Sequence, residues 1–247
     1  MLHPFDIQGK KILITGASSG IGRAMAVVCS QMGADVCITG RNAEALAQTL
    51  EMMNGSKNTR IVADLTNNDA MNQLVNELPV LDAVISNAGI NRRMITQFLK
   101  EDAMDNVLNT NLKAPIMLTK ALLKAKKLNT GASLVFVSSI AAFHSSIGDG
   151  VYSASKGVLS SFAKVLAMEL APKKIRVNTI QPGMVRTGLT ENGPLSEADY
   201  QKDEQRYPLA RYGKPEEIAY AAVYLISDAA CWITGTDLVI DGGISLI

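Results

Sequence analysis

Thr15-Gly16-Ala17-Ser18-Ser19-Gly20-Ile21-Gly22 joins an apolar run at 11–15 to a helical pattern over 21–32, and this passage from strand through glycine turn to helix decides the fold. Glycines permit a tight turn and a close backbone approach. The exposed N–H groups and the positive end of the helix dipole then attract phosphate oxygens, so a diphosphate fits there. The spacing is Gly-x3-Gly-x-Gly, not the commoner Gly-x-Gly-x-x-Gly. Outward from this point, strand-like runs recur at 35–39, 60–62, 83–86, 133–138, 176–181 and 238–240, and helical patterns fill 43–53, 69–78, 102–127, 151–170 and 215–227. Alternating β and α predicts a parallel sheet covered on both faces. Seven strands in 247 residues make one doubly wound domain over 1–247, with its ligand crevice beyond the carboxyl ends of the strands. The polar stretch 189–208, with Gly193-Pro194, reads either as a lid over that crevice or as a plain surface excursion.

Composition narrows the function. A hydrophobic content of 47% supplies a sizeable core, and no linker, charge block or repeat divides the chain. The formal net charge of +1, with few aromatics, leaves no footprint for nucleic acid or for an anionic membrane. The start, Met-Leu-His-Pro-Phe-Asp-Ile-Gln-Gly-Lys-Lys, has no apolar signal core, and no stretch stays apolar long enough to span a bilayer. A soluble cytoplasmic protein is expected. Cys29, Cys37 and Cys231 show no metal-ligand spacing and are expected to be buried free thiols, with neither disulfide nor metal.

Tyr152 and Lys156 lie four residues apart in Tyr-Ser-Ala-Ser-Lys, thirteen residues after Ser139. An i, i+4 pair shares one helix face, so the Lys156 ammonium is expected beside the Tyr152 phenol, favouring its ionised form. At the nucleotide end, the second strand closes Thr39-Gly40-Arg41-Asn42, with no carboxylate to take ribose hydroxyls. A guanidinium at Arg41 instead suits a 2′-phosphate, which predicts NADP(H) over NAD(H). Asp64-Leu65, after the third strand, is placed to meet the adenine amino group, with capping of the next helix as the competing role for Asp64.

With these pieces assembled, the chain resembles the short-chain dehydrogenase/reductase family over essentially its whole length. Thr15 to Gly22, including Gly16, Ser18, Ser19, Gly20, Ile21 and Gly22, is similar to the family's cofactor motif. Ser86-Asn87-Ala88-Gly89 is similar to its Asn-Asn-Ala-Gly motif, with Ser86 departing from the usual Asn. Asn111 matches the helix asparagine, while Ser139, Tyr152 and Lys156 match the catalytic centre. Pro182-Gly183, Val185 and Thr187 match the segment that lies along the nicotinamide. The resemblance implies a three-layer α/β/α Rossmann fold, a nicotinamide cofactor, and hydride transfer between nicotinamide and a carbonyl or secondary alcohol. It further implies that Tyr152 hands its proton to the developing alkoxide, that Ser139 hydrogen-bonds the same oxygen, that Lys156 holds the nicotinamide ribose, and that Asn111 bends its helix and holds a water that resupplies the proton.

Other polar residues have plainer readings. His144 and Asp149 read as loop residues, and Arg92 and Arg93 either meet an anionic substrate or form a solvated face. The tail, with Arg211-Tyr212-Gly213-Lys214-Pro215-Glu216-Glu217 and Asp241-Gly242-Gly243, resembles that of bacterial 3-oxoacyl-acyl-carrier-protein reductases and implies a homotetramer, but polyol, sugar and steroid dehydrogenases share it. Lys126, Lys127, Lys173 and Lys174 lie near positions where such reductases present basic side chains to the acidic carrier protein. Three functions stay open: a reductase of 3-oxoacyl thioesters carried on acyl carrier protein, a dehydrogenase of small secondary alcohols such as polyols or sugars, and a non-catalytic NADP(H) sensor or assembly subunit.

Overall fold

The computed structural model describes residues 3–187 and 196–247. At its centre runs β1 (Lys11–Thr15), whose Ile12, Leu13 and Ile14 have no exposed surface. Successive side chains point to opposite faces, so Ile12 and Ile14 join one core layer and Leu13 the other. Each such buried aliphatic chain stabilises the fold by roughly 1.5–3 kcal/mol. The remaining strands are β2 (Asp35–Gly40), β3 (Thr59–Val62), β4 (Leu81–Ser86), β5 (Leu128–Val137), β6 (Arg176–Pro182) and β7 (Asp237–Ile240). All pairings are parallel, and the seven strands stand in the order β3-β2-β1-β4-β5-β6-β7. The chain thus steps from β1 out to β3 and returns to the other side of β1 with β4. Loops diverge at that reversal, and a crevice opens at the carboxyl ends there.

The helices are α1 (Gly20–Gln31), α2 (Ala43–Glu51), α3 (Asn68–Glu77), α4 (Glu101–Leu108), α5 (Ala114–Lys124), α6 (Gly150–Leu170), α7 (Glu197–Glu204) and α8 (Pro215–Ile226). Met25 and Cys29 of α1 pack with Ile218 and Val223 of α8 over one sheet face. Leu74 of α3, Leu118 of α5 and Leu159 and Leu166 of α6 cover the other. The result is the expected doubly wound three-layer α/β/α Rossmann architecture in a single domain.

Several features depart from the sequence expectations. The helix expected over 102–127 is interrupted by a π-helical segment, Asn109–Lys113, between α4 and α5. Such π-bulges widen one turn and concentrate at functional sites. Within the stretch expected as a lid, residues 189–195 lie outside the described residues, whereas 197–204 form α7, capped reciprocally by Ser196 and Asp199. Cys231 is exposed and not buried, since it follows a 3₁₀ turn on the surface. Cys29 and Cys37 are buried, and burial pushes the Cys29 thiol up to about 12.

Candidate active site

The turn between β1 and α1 is built by close backbone approach. Gly16 has φ +67°, and a Cβ placed on it would lie 2.7 Å from Ala88 Cα. A Cβ on Gly22 would lie 2.2 Å from the Gly16 carbonyl oxygen and 2.5 Å from Asn87 Nδ2. Only hydrogen fits at either position. Ser19 opens α1 with extended backbone and makes no side-chain cap bond. Asn87 Nδ2 donates to the carbonyls of Thr15 and Gly16, both at 3.2 Å, and Thr15 Oγ1 accepts from Asn87 N at 3.1 Å and Ala88 N at 3.0 Å. Asn87 and its neighbours therefore hold the glycine turn even with Ser86 in place of the family's usual Asn. Arg23, which sequence reasoning missed, donates to Ser18 O at 2.6 Å and to Thr49 Oγ1 at 3.0 Å, tying the turn to α2. This cradle of bare backbone at a helix N-terminus is what a dinucleotide diphosphate requires.

Farther along the crevice, Arg41 is exposed just after β2. Asp64 Oδ1 accepts from Thr66 N at 2.9 Å and Thr66 Oγ1 at 2.7 Å. The cap of α3 is Asn67, which removes the capping role considered for Asp64. Burial acts to raise the Asp64 pKa, but the Thr66 bonds and the Arg41 charge outweigh it and hold the carboxyl below its ordinary value. Arg41 and Asp64 thus form a charged end to the cleft beside buried Leu65.

At the other end of the cleft, α6 and the end of β5 bring together a half-buried phenol, a buried amine and a hydroxyl. Tyr152 and Lys156 rise from α6, and Ser139 follows β5. Lys156 is buried; its Nζ lies 5.7 Å from the Tyr152 ring centre and donates to Val137 O at 2.8 Å. Burial pushes the Lys156 pKa down to about 8. Burial also pushes the Tyr152 hydroxyl up; its hydrogen bond with Ser139 pulls it down, and the charge of Asp149 pushes it up again. The expected lowering of Tyr152 by Lys156 is therefore corrected: among the protein's own groups desolvation dominates, because it penalises the phenolate and the ammonium alike. Asn111 sits in the π segment, where its Oδ1 accepts from Ile90 N and its Nδ2 donates to Ile90 O, both at 2.8 Å. A Cβ on Gly89 would lie 3.3 Å from both Asn111 Oδ1 and Lys156 Nζ, so these two groups meet across that glycine.

A single cleft of about 670 Å³ runs from the glycine turn to Tyr152. Gly16, Ser18, Ser19, Gly20, Ile21, Arg41, Asp64, Leu65, Asn87, Ala88, Gly89, Ser139, Tyr152, Lys156, Pro182, Gly183, Val185 and Thr187 all line it, whereas Gly22 and Asn111 stand behind its wall. Thr110, Ala114 and Pro115 line it as well and were missed, because nothing in a helical pattern shows which turn faces a cleft. Arg93 is exposed, as a solvated face requires, and it also pairs with Asp149 and donates to the Ile147 carbonyl. Lys126 and Lys127 stand at the amino end of β5, and Lys173 and Lys174 at that of β6, on the sheet edge opposite the cleft of the same chain. Among the described residues there is no group of three His, Cys, Asp or Glu placed to hold a metal, and no helix is long and apolar enough to cross a membrane.

Residues 16–245 match the family model described as Enoyl-(Acyl carrier protein) reductase. The chain is 34% identical over 242 residues to 3-oxoacyl-acyl-carrier-protein reductase FabG of Rickettsia felis, covering 98% of this chain and 99% of that protein. Its Thermotoga maritima counterpart is 35% identical over 245 residues, covering 96% and 98%. Among solved structures, a short chain dehydrogenase/reductase family protein superposes with a TM-score of 0.86 at 32% identity, covering 97% of this chain and 99% of that one. A candidate 2-deoxy-D-gluconate 3-dehydrogenase from Agrobacterium tumefaciens with bound NADP reaches 0.87 at 33% identity, covering 99% and 100%.

Proposed function

The chain belongs to the short-chain dehydrogenase/reductase family, and on that premise we propose that this oxidoreductase is an NADPH-dependent reductase of 3-oxoacyl thioesters. The observation that carries the substrate class is the exposed apolar side chains at the carboxyl ends of three neighbouring strands, the end at which the cleft opens. Ile95 and Phe98 follow β4, Phe143 and Ile147 lie between β5 and α6, and Met184, which lines the cleft, follows β6. An acyl chain is recognised by such side chains, whereas a polyol needs polar partners for its hydroxyls.

The nicotinamide supplies hydride chemistry when bound, with the Gly16 to Gly22 turn holding its diphosphate, Arg41 its 2′-phosphate, and Pro182, Gly183, Val185 and Thr187 its reactive end. Tyr152 gives its hydroxyl proton to the carbonyl oxygen as that oxygen gains charge. Ser139, already hydrogen-bonded to Tyr152, donates to the same oxygen. Lys156 orients the ribose and, once protonated, offsets the charge left on Tyr152. Asn111 fixes the backbone of Ile90 at the cleft wall. Arg41 favours NADP(H) over NAD(H), since a charge-assisted bond of about 1.5–3 kcal/mol corresponds to roughly ten- to hundredfold in affinity. We extend the proposal to cytoplasmic substrates carried on acyl carrier protein and to a homotetramer assembled on the exposed α6 stripe of Val158, Val165 and Met168.

The test follows NADPH and NADH oxidation with an acetoacetyl thioester beside simple ketones and sugars, with Tyr152→Phe as control. Thioester turnover with NADPH that falls by about 10²–10⁴ in the variant supports the reading. Turnover of sugars alone moves the chain to the second reading, which its likeness to a candidate gluconate-type dehydrogenase favours. NADH preference overturns the role of Arg41.

A further inference from the structure

Two segments wall the cleft near Tyr152: one follows β4, and the other links β5 to α6. They are fastened to each other. Asn91 Nδ2 donates to Asp149 Oδ1 at 3.0 Å, and Arg93 Nε stands 3.4 Å from the same oxygen. Arg93 Nη2 donates to Ile147 O at 3.1 Å, and Met94 N donates to Gly148 O at 2.8 Å. Asp149 is only 9% exposed. It occupies the N-cap position of α6, yet its side chain caps nothing, so its carboxylate serves the bridge alone. Tyr152 follows three residues later, one turn along the same helix face.

We propose that Asp149 is a positioning residue for the proton donor: bridged by Asn91 and Arg93, its carboxylate locks the two cleft walls together and places a fixed negative charge beside the Tyr152 hydroxyl. The groups facing Tyr152 are Asp149 and Lys156 from its own helix and Ser139 from the turn after β5, while Arg93 stands behind Asp149 from the segment after β4. A neighbouring carboxylate disfavours phenolate. Asp149 therefore adds to the burial that already favours the protonated phenol, and Arg93 partly cancels that influence. The functional meaning rests on Tyr152 being the proton donor, but the charge effect does not.

The test titrates Tyr152 directly, through the near-ultraviolet absorbance of tyrosinate. The chain has 6 tyrosines, so the Tyr152 component is each protein's curve minus that of the same protein carrying Tyr152→Phe. Asp149→Asn keeps the side-chain shape and is expected to lower the Tyr152 midpoint by about one pH unit. Arg93→Met, at a side chain 64% exposed, is expected to raise it. General loosening of the loops would move both variants the same way, and that result, or an unmoved midpoint in Asp149→Asn, overturns the proposal. No substrate enters the measurement, so a wrong substrate class leaves it intact. If Tyr152→Phe still turned over while the midpoints moved in opposite directions, the donor role would fall and the Asp149 bridge would stand.

Discussion

Replacing Lys156 by Met should make the cofactor-free protein more stable at neutral pH and less stable in alkali. Lys156 is buried, and its pKa falls from the ordinary 10.5 to about 8. At about 1.4 kcal/mol per tenfold change, that fall makes the protonated side chain cost the fold roughly 3 kcal/mol. The sign follows from proton counting. Below pH 8 both folded and unfolded chains carry the proton and the cost is complete; between 8 and 10.5 the unfolded chain binds more protons, so stability rises with pH. By about pH 10 less than ~1 kcal/mol of the cost remains. Against this stands the lost bond from Nζ to Val137 O, at 2.8 Å, whose buried acceptor would be left unpaired at ~2 kcal/mol. Met retains the aliphatic stem, so packing changes little. The net expectation is a gain of about 1 kcal/mol near pH 7, or roughly 2–4 °C in Tm, turning into a loss of similar size near pH 10. Urea unfolding followed by far-ultraviolet circular dichroism at the two pH values measures it. A variant less stable than wild type at both, or a difference independent of pH, would refute the reasoning.

Three further outcomes follow from single contacts. Gly22→Ala drives a methyl to within 2.2 Å of the Gly16 carbonyl oxygen; we expect a stability loss of about 1–3 kcal/mol and no NADPH-induced rise in Tm, both readable by thermal shift. Gly89→Ala meets Asn111 Oδ1 and Lys156 Nζ at 3.3 Å; displacements of a few tenths of an ångström should leave Tm near wild type while lowering kcat by about tenfold. Ser196→Ala removes the reciprocal cap of α7, at a cost of about 1 kcal/mol, so hydrogen exchange at the Tyr200 amide should quicken about fivefold with little change at α6.

The parts of this protein legible in its sequence are those where local chemistry repeats a rule. β1 was expected and observed at the same five residues, because a run such as Ile12-Leu13-Ile14 between Lys11 and the Thr15-Gly16 turn has one way to be buried. The glycine turn was readable because Gly16 and Gly22 have no room for a Cβ. What escaped depends on contacts between distant segments. The amino-terminal part of β5 was missed because Leu128, Asn129 and Thr130 lack an apolar run. The π segment at Asn109–Lys113 was hidden inside an ordinary helical period, since it accompanies a long-range contact, Asn111 gripping the Ile90 backbone from behind the cleft wall. Helix α7 was legible in principle, as Ser196 and Asp199 have capping-box spacing, but its weak amphipathicity obscured it. Electrostatics was the least legible of all. From the i, i+4 spacing alone Lys156 should lower the Tyr152 pKa; in the fold both groups are desolvated, and Asp149, a residue that reads as loop chemistry, adds an opposing charge. A spacing rule reports which groups are neighbours, whereas the ionisation of those neighbours depends on how much water the surrounding fold removes.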